Sequence, residues 1–291
     1  MPTHLQRKWH DLGQAYSEVR LTSWAQYTEF VQHEMLDYNS YIWRGQRRDD
    51  WRLETKLDRL VGSGNLSKEK RYEFVHSHLQ QFKLAVRGRR GITPVPLSTD
   101  EDWWALGQHH GLATPLLDWS TSPFVAAFFA FIETARQQTR YRAIFALHKP
   151  TIVSRSILKA RLANLERKEK LRAADAGEIK LGGLGRIAMK GTIPPEVKFI
   201  QPLSDENHRL VNQGGLFTSS PSGAHLDQWV QDNYDAEIDK GASLVKVLVP
   251  NKEREQALRM LNRMNINHLS LFPDLVGASE FCNLFAQIEK Y

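Results

Sequence analysis

The stretch from Leu116 to Ile132, LLDWSTSPFVAAFFAFI, constrains the fold more than any other part of the chain. Ser122 followed by Pro123 is typical of a helix N-cap with proline at the first helical position. The residues after this cap are apolar on every side of such a helix, so the helix must be buried rather than amphipathic. The chain therefore has to supply other elements that cover this helix all round.

A polar segment, DWSTS at 118–122, stands directly before the apolar helix. One hydroxyl suffices for the cap and Ser122 is placed for it, which leaves Ser120, Thr121 and Asp118 without a structural task. Two interpretations follow. The segment is a hydrogen-bonded polar turn beneath a buried helix, or it lines a binding site, since helix N-termini favour anionic ligands.

The overall composition is ordinary for a globular protein, with 41% hydrophobic and 25% charged residues. No apolar run approaches the length of a membrane span, and the first residues lack the apolar core of a signal peptide. We therefore expect a cytoplasmic protein with no membrane partner. The formal net charge of +6 favours an anionic partner, either nucleic acid or a phosphate-rich small molecule.

Periodicity and turn residues predict short strands mixed with segregated helices, which is typical of the α+β class. Helices are expected over 4–19, 24–35, 68–86, 100–110, 123–138, 252–264 and 279–290. Strands are expected over 40–45, 141–147, 197–200, 215–219 and 242–249. We divide the chain into an N-terminal helical extension, 1–39, and one domain, 40–291, with a charged helical insertion at about 155–190.

Arg44 stands at the end of a predicted strand, directly before Gly45. An arginine in this place can hold a diphosphate or a carboxylate with two parallel hydrogen bonds, and the glycine lets a ligand approach the backbone. The alternative is an edge-strand arginine in a surface ion pair. The sequence allows both interpretations.

Signatures of metal and hydrolase sites are missing from the sequence. Adjacent histidines such as His109 and His110 point in different directions on a helix, so they do not form a paired metal site. The chain has one cysteine, no HExxH motif, no P-loop and no G-x-S-x-G motif. We predict that the protein holds no metal.

Several separated motifs resemble the FRG domain, a family named for its Phe-Arg-Gly motif. These are WRGQ at 43–46, GQHHGLATPLLDWSTSPFVAAFFA at 107–130 and RLVNQGGLFTS at 209–219. The tail, which includes the segment LFPDL at 271–275, resembles the end of the same family, so the resemblance extends from about 41 to about 280. Trp43 stands where the family usually has Phe or Tyr.

A more distant resemblance connects the chain with the arginine-serine-glutamate class of ADP-ribosyltransferases. It rests on the order aromatic-Arg-Gly, then Ser-Thr-Ser, then a helix that begins with Val-Ala. The resemblance implies a core of mixed short strands with surrounding helices, and NAD as the substrate. It also implies that Arg44 holds the NAD phosphates, that the Gly45 backbone receives the nicotinamide amide, and that Ser120 orients the site. The residues expected to contact NAD beside these are Gln46, His110, Trp119 and Thr121.

The third element of that class, a glutamate on a late strand, is absent here. Gln213, Gly214 and Gly215 stand where the glutamate would fall. Gln213 can bond a ribose hydroxyl or position a nucleophile, but it cannot supply negative charge near a developing cation. Asp118 supplies that charge if the fold brings it into the site.

The resemblances together imply an NAD-dependent ADP-ribosyltransferase-like toxin of a bacterial anti-phage or toxin–antitoxin system. Its acceptor is then a macromolecule, with RNA favoured over DNA and protein because of the basic charge balance, and an antitoxin protein is a further expected partner. Two alternatives stay open. The chain is an NAD glycohydrolase that uses water as acceptor, or it is a non-catalytic module that binds a nucleotide or nucleic acid.

Overall fold

A seven-stranded mixed sheet forms the centre of the structure, a computed structural model that describes residues 15–62, 67–91, 96–134, 139–176, 192–201, 208–219, 225–239 and 241–291. The strands are β1 (Tyr16–Arg20), β2 (Tyr41–Gln46), β3 (Leu116–Ser120), β4 (Tyr141–His148), β5 (Phe199–Ile200), β6 (Gly215–Ser219) and β7 (Leu244–Pro250). Their order across the sheet is β1-β7-β4-β2-β3-β6-β5. Strands β1 and β7 are parallel, and the other neighbouring strands are antiparallel.

Helices pack around this sheet. They are α1 (Trp24–Phe30), which continues as a π-helical turn (Val31–Met35), α2 (Lys56–Val61), α3 (Lys68–Ala85), α4 (Asp100–His109), α5 (Pro123–Phe131), α6 (Lys149–Asp175), α7 (His208–Asn212), α8 (Leu226–Asp232), α9 (Arg254–Arg263), α10 (His268–Leu271) and α11 (Leu275–Gln287). This architecture confirms the predicted α+β class. Among the described residues, no helix has both the length and the apolar character needed to cross a membrane.

The pairing of β2 with its two neighbours is unequal. Strand β2 pairs with β4 at every position from Tyr41 to Gln46. It pairs with β3 only where Trp43 faces Ser120. The two strands therefore separate beyond this point, and the backbone groups of β2 that face β3 there have no strand partner.

Helix α5 is the buried helix that the sequence predicts. Ala127, Phe128, Ala130 and Phe131 have no exposed surface. The Ser122 hydroxyl accepts a hydrogen bond from the backbone N–H of Val125 at 3.3 Å, with proline in the first turn, which confirms the predicted cap. The helix ends at Phe131, earlier than predicted, and residues 135–138 lie outside the described part of the chain.

Two arginines satisfy the carbonyl groups at the other end of α5, which have no partners within the helix. Arg142 donates from Nη1 to the carbonyl oxygens of Ala130 (3.2 Å) and Glu133 (3.0 Å). Arg254 donates to those of Phe131 (2.9 Å) and Ile132 (3.1 Å). Burial, helped by the positive charges of Arg254 and Arg47, lowers the pKa of Arg142 to about 10. The guanidinium still carries its charge near pH 7, where it complements the helix dipole.

Gly45 is where α5 touches β2. A Cβ atom at this position would lie 1.9 Å from the carbonyl oxygen of Ala126 and 2.5 Å from the amide nitrogen of Ala130. Only glycine permits this approach of helix backbone to strand backbone. From the sequence, we expected a ligand to approach the backbone of Gly45. On the side of Gly45 that faces α5, the backbone of the helix occupies this space.

Two segments differ from the sequence prediction. Residues Tyr16–Arg20 form a strand parallel to β7, not the end of the helix expected over 4–19, and residues 4–14 lie outside the described residues. Pairing with β7 decides the matter, because an edge strand takes its hydrogen bonds from a neighbour remote in sequence. Residues Leu116–Ser120 form a strand that the sequence analysis did not predict, and this strand includes the first three residues of the polar segment 118–122.

The predicted N-terminal extension and the predicted insertion can also be located in the structure. Trp24, Tyr27 and Phe30 of α1 belong to the same hydrophobic cluster as α5, so the described part of the predicted N-terminal extension packs into the main core. The predicted insertion at 155–190 falls on α6, which begins directly after β4, and on residues 177–191, which lie outside the described part.

We expect Gly45→Ala to lower the free energy of unfolding by about 3 kcal/mol, because the added methyl group collides with helix backbone that cannot move aside. Gly88→Ala is the matched control. Gly88 has a φ of +73° and nothing within 4 Å of the added methyl, so its cost is the backbone term alone, about 1 kcal/mol. Urea unfolding of both variants measures the difference, and an equal loss in the two would contradict the close packing.

Candidate functional site

A cavity of about 390 Å³ is lined by residues of both β2 and β3, the strands that separate. Its arginines are Arg44, Arg47, Arg59 and Arg209, and its carboxylates are Asp118 and Glu133. Its aromatic residues are Trp43, Trp51, Trp119, Phe129, Phe217 and Phe272. Cationic groups beside flat rings suit a ligand that combines negative charge with planar rings.

Arg44 reaches from β2 across the gap to β3. Its Nη1 donates to the backbone carbonyl oxygen of Asp118 at 2.7 Å and lies 3.5 Å from the Asp118 carboxylate. Its Nε is buried and has no hydrogen-bond partner among the described residues. Burial lowers the pKa of Arg44 and the charge of Asp118 opposes this shift. The buried Nε–H is thus out of reach of a ligand, and the exposed 17% of the side chain is the part that faces the cavity.

The fold brings Asp118 into the cavity beside Arg44. Gln108, near the end of α4, donates from Nε2 to both carboxylate oxygens of Asp118 at 3.0 Å. The side-chain oxygen of Gln108 in turn accepts from the hydroxyl of Thr114. The carboxylate is thus held in place, although its side chain stays 59% exposed.

Ser120 ties three segments together at the closed end of the gap. Its hydroxyl donates to the carbonyl oxygen of Gln213 at 2.6 Å and accepts from the N–H of Ser122 at 3.0 Å. The N–H of Thr121 donates to the Gly214 carbonyl at 2.9 Å. The polar segment before α5 is therefore both a hydrogen-bonded turn and, at Asp118 and Ser120, part of the cavity wall.

Gln213 lines the cavity from the turn before β6. Its Nε2 donates to the carbonyl oxygen of Leu271 at 3.1 Å, which joins the turn to α10. Gly214 follows with a φ of +53°, and a Cβ there would lie 2.6 Å from the hydroxyl oxygen of Thr121. The turn that carries Gln213 is therefore fixed by both its backbone and its side chain.

The remaining predicted contacts divide into two groups. Gln46 and Trp119 are buried and line the cavity. Gln46 donates to the Arg52 carbonyl at 3.2 Å, and the Trp119 ring N–H donates to the Thr218 hydroxyl at 2.9 Å. Thr121 is exposed and is not among the lining residues.

His110, which we expected to contact NAD, is not among the lining residues, and His109 lines the cavity instead. His110 is the C-cap residue of α4, and it is exposed. Successive helix residues point about 100° apart, so only one of two adjacent histidines can face the cavity.

Several residues that line the cavity were not predicted from the sequence. They are Arg47, Trp51, Arg59, Gln108, Glu133, Arg209 and Phe272. Three of them lie inside motifs already quoted from the sequence: Gln108 precedes the histidine pair, Arg209 begins RLVNQGGLFTS, and Phe272 lies in the LFPDL segment. Within the described part of the chain, no three histidine, cysteine, aspartate or glutamate side chains are grouped so that they could hold a metal ion.

We expect Ser120→Ala and Ser122→Ala to differ in kind. Loss of the Ser122 cap should cost about 1 kcal/mol of stability and leave the turn at Gln213 in place. Loss of the Ser120 hydroxyl leaves two buried partners unsatisfied, so it should cost about 2 kcal/mol. It should also speed amide hydrogen exchange at Thr121, whose N–H bonds to Gly214. Equal exchange in both variants would contradict the bracing role of Ser120.

Comparison with known proteins identifies one matching family model, which covers part of the chain. Neither the curated proteins nor the solved structures contain a significant match to this chain. Residues 39–139 match the family model of the FRG domain, and this segment includes Arg44, Asp118, Ser120 and helix α5. The resemblance read from the Trp-Arg-Gly and His-His-Gly motifs is confirmed over this segment: residues 39–139 of the chain are an FRG domain match.

Proposed function

We propose that the cavity binds NAD and that the protein transfers the ADP-ribose part of NAD to a macromolecule. The observation that carries this proposal is Arg44, an arginine whose side chain is 17% exposed and lies beside the Asp118 carboxylate in the wall of an aromatic cavity. The resemblance of the Arg-Gly and Ser-Thr-Ser segments to ADP-ribosyltransferases supports the same conclusion.

The lining chemistry supports a dinucleotide. Four lining arginines stand against two lining carboxylates, and one of the four, Arg209, also pairs with Asp274 outside the lining. The positive charge that remains in excess favours a diphosphate. Trp51, Phe129 and Phe272 are partly exposed and offer surfaces for planar rings, whereas Trp43, Trp119 and Phe217 are buried. The volume of about 390 Å³ lies in the range of about 300–1,000 Å³ that is usual for small-molecule sites.

The reaction breaks the bond between C1′ of the ribose and N1 of the nicotinamide ring. The bonding electrons go to nicotinamide, which leaves as a neutral molecule, and positive charge develops on the ribose. An acceptor nucleophile then attacks C1′ and loses its proton to solvent. The carboxylate of Asp118 supplies negative charge near that cation, while Gln213 offers only a neutral amide.

The acceptor that we propose is RNA. Trp103 on α4 lies under two cations, Arg90 at 5.3 Å and Lys83 at 5.7 Å from its ring centroid. Six residues further along the same helix His109 lines the cavity, a distance of about 9 Å at the helical rise. Aromatic and cationic side chains together are typical of single-stranded nucleic acid binding. A toxin role, with an antitoxin protein as partner, belongs to this proposal through the resemblance alone.

The decisive experiment supplies purified protein with NAD labelled in its adenylate part, together with RNA, DNA or protein in separate reactions. We expect nicotinamide release and label in RNA. Arg44→Ala should abolish both while the protein stays folded, and Arg48→Ala, which removes an arginine paired with Asp50 outside the cavity, should leave both unchanged.

Other outcomes of this experiment identify other functions. Nicotinamide release without transferred label would identify a glycohydrolase. A rise in melting temperature with NAD but no release would identify a binding module. The absence of release and of any melting shift would refute NAD as the ligand.

We expect Asp118→Asn to lower kcat for nicotinamide release about a hundredfold, because it removes the negative charge that stabilises the cationic ribose. KM should stay the same or fall, since the cavity loses a charge that repels the diphosphate. Steady-state kinetics of the variant beside wild type measures both values. An unchanged kcat would show that Asp118 does not stabilise the cationic ribose. Gln213 would then be the remaining candidate for that role.

A further inference from the structure

Trp51 is a large aromatic side chain that the fold leaves 39% exposed at the cavity wall. The guanidinium carbon of Arg47, another lining residue, lies 4.8 Å from the centroid of the Trp51 ring. This distance is within the range of cation–π contact, about 6 Å. The two residues form a stack of flat groups, part of which faces the cavity.

Arg47 has a second contact, with the segment that follows α5. It forms an ion pair with Glu133, two residues after the end of the helix, and the Glu133 side chain is 61% exposed. The backbone carbonyl of Glu133 accepts a hydrogen bond at 3.0 Å from Arg142, which is 1% exposed. The backbone that carries Glu133 is therefore held in place, and the exposed ion pair orients Arg47 without fixing it.

The stack stands at a limited distance from Arg44. Arg47 follows three residues after Arg44, in a bend directly after β2, so the two backbones are at most about 10 Å apart. Ser120 lies at the other end of the gap, where β2 and β3 still pair. The cavity thus has an aromatic open end at Trp51, a cationic middle at Arg44 and a closed polar end at Ser120 and Gln213.

From this arrangement we infer that Trp51 and Arg47 form a subsite for the purine base of the dinucleotide. The inference rests on the proposed function and gives the ligand a direction. The adenine stacks at Trp51, the diphosphate lies at Arg44, and the nicotinamide riboside extends toward Ser120 and Gln213. Stacking on an aromatic face accepts any base, whereas the reactive bond is placed at the closed end.

Tyr141 provides a control inside the same protein. It too lies beneath cations, with Arg140 at 5.6 Å and Arg20 at 5.7 Å from its ring centroid, but it is not among the residues that line the cavity. A general loss of an aromatic ring with its cation contact is therefore separable from the loss of the subsite.

The test is calorimetric titration of wild type, Trp51→Ala, Trp51→Phe and Tyr141→Ala with three probes: NAD, AMP and nicotinamide mononucleotide. We expect Trp51→Ala to weaken NAD and AMP by roughly 5- to 150-fold, which is the effect of one lost base stack. Nicotinamide mononucleotide, which lacks the adenylate part, should bind with unchanged affinity. Trp51→Phe should keep most of the affinity for all three, and Tyr141→Ala should match wild type.

The outcomes separate the subsite from the function. An equal loss for NAD and nicotinamide mononucleotide in Trp51→Ala, or unchanged NAD affinity, would overturn the subsite and leave the proposed function standing. Wild type that binds AMP at Trp51 but not NAD would overturn the proposed function and keep the subsite. Wild type that binds none of the probes would overturn both.

Discussion

The contact between the backbone of α5 and the backbone of β2 at Gly45 is the constraint on which the cavity depends. No side chain separates the helix from the strand at this point, since a methyl group there would lie 1.9 Å from the Ala126 carbonyl oxygen. The helix consequently lies so close to the sheet that Ala126 and Phe129, which share one of its faces, reach the cavity wall together with Glu133, which follows the helix. A larger residue at 45 would lift the helix and open that wall.

A helix this close to the sheet needs polar partners for the backbone groups at its two ends. Helix α5 is apolar along its length, so its terminal backbone groups have to find polar partners in the surrounding structure. Ser122 serves the first turn, and Arg142 and Arg254 serve the last carbonyl groups. Arg142 also holds the Glu133 backbone, so the interaction that ends the helix simultaneously fixes a charged residue at the cavity. The contacts that end the helix therefore also shape the wall of the cavity.

The sequence predicted the parts of the fold that local chemistry decides. The cap at Ser122, the strand at Tyr41–Gln46 and the end of α4 before Gly111, whose φ is +85°, depend on neighbouring residues and were predicted correctly. The strand β1 was not, since its partner β7 lies more than two hundred residues away in the chain. Local patterns hold no information about such a partner.

The candidate site follows the same division. Arg44, Gly45, Asp118 and Ser120 belong to motifs with a recognisable local order, and the structure places all of them at the cavity. Arg47, Trp51 and Glu133 come together only because β2, the segment after it and the end of α5 converge in space. The choice of His109 over His110 turns on the rotation of α4 about its axis, which packing against the core decides.

The polar segment before α5 shows why structure and function need not be alternatives at one place. The Ser120 hydroxyl has one donor and can accept, and both capacities are used to tie the turn of Gln213 to the start of α5. A hydroxyl so engaged is a weak candidate for direct chemistry, but it fixes the groups around it. Asp118, two residues earlier, keeps its carboxylate 59% exposed and is held by Gln108 and Arg44. The serine hydroxyls of the segment therefore hold the backbone around the start of α5, and its carboxylate remains available to a ligand.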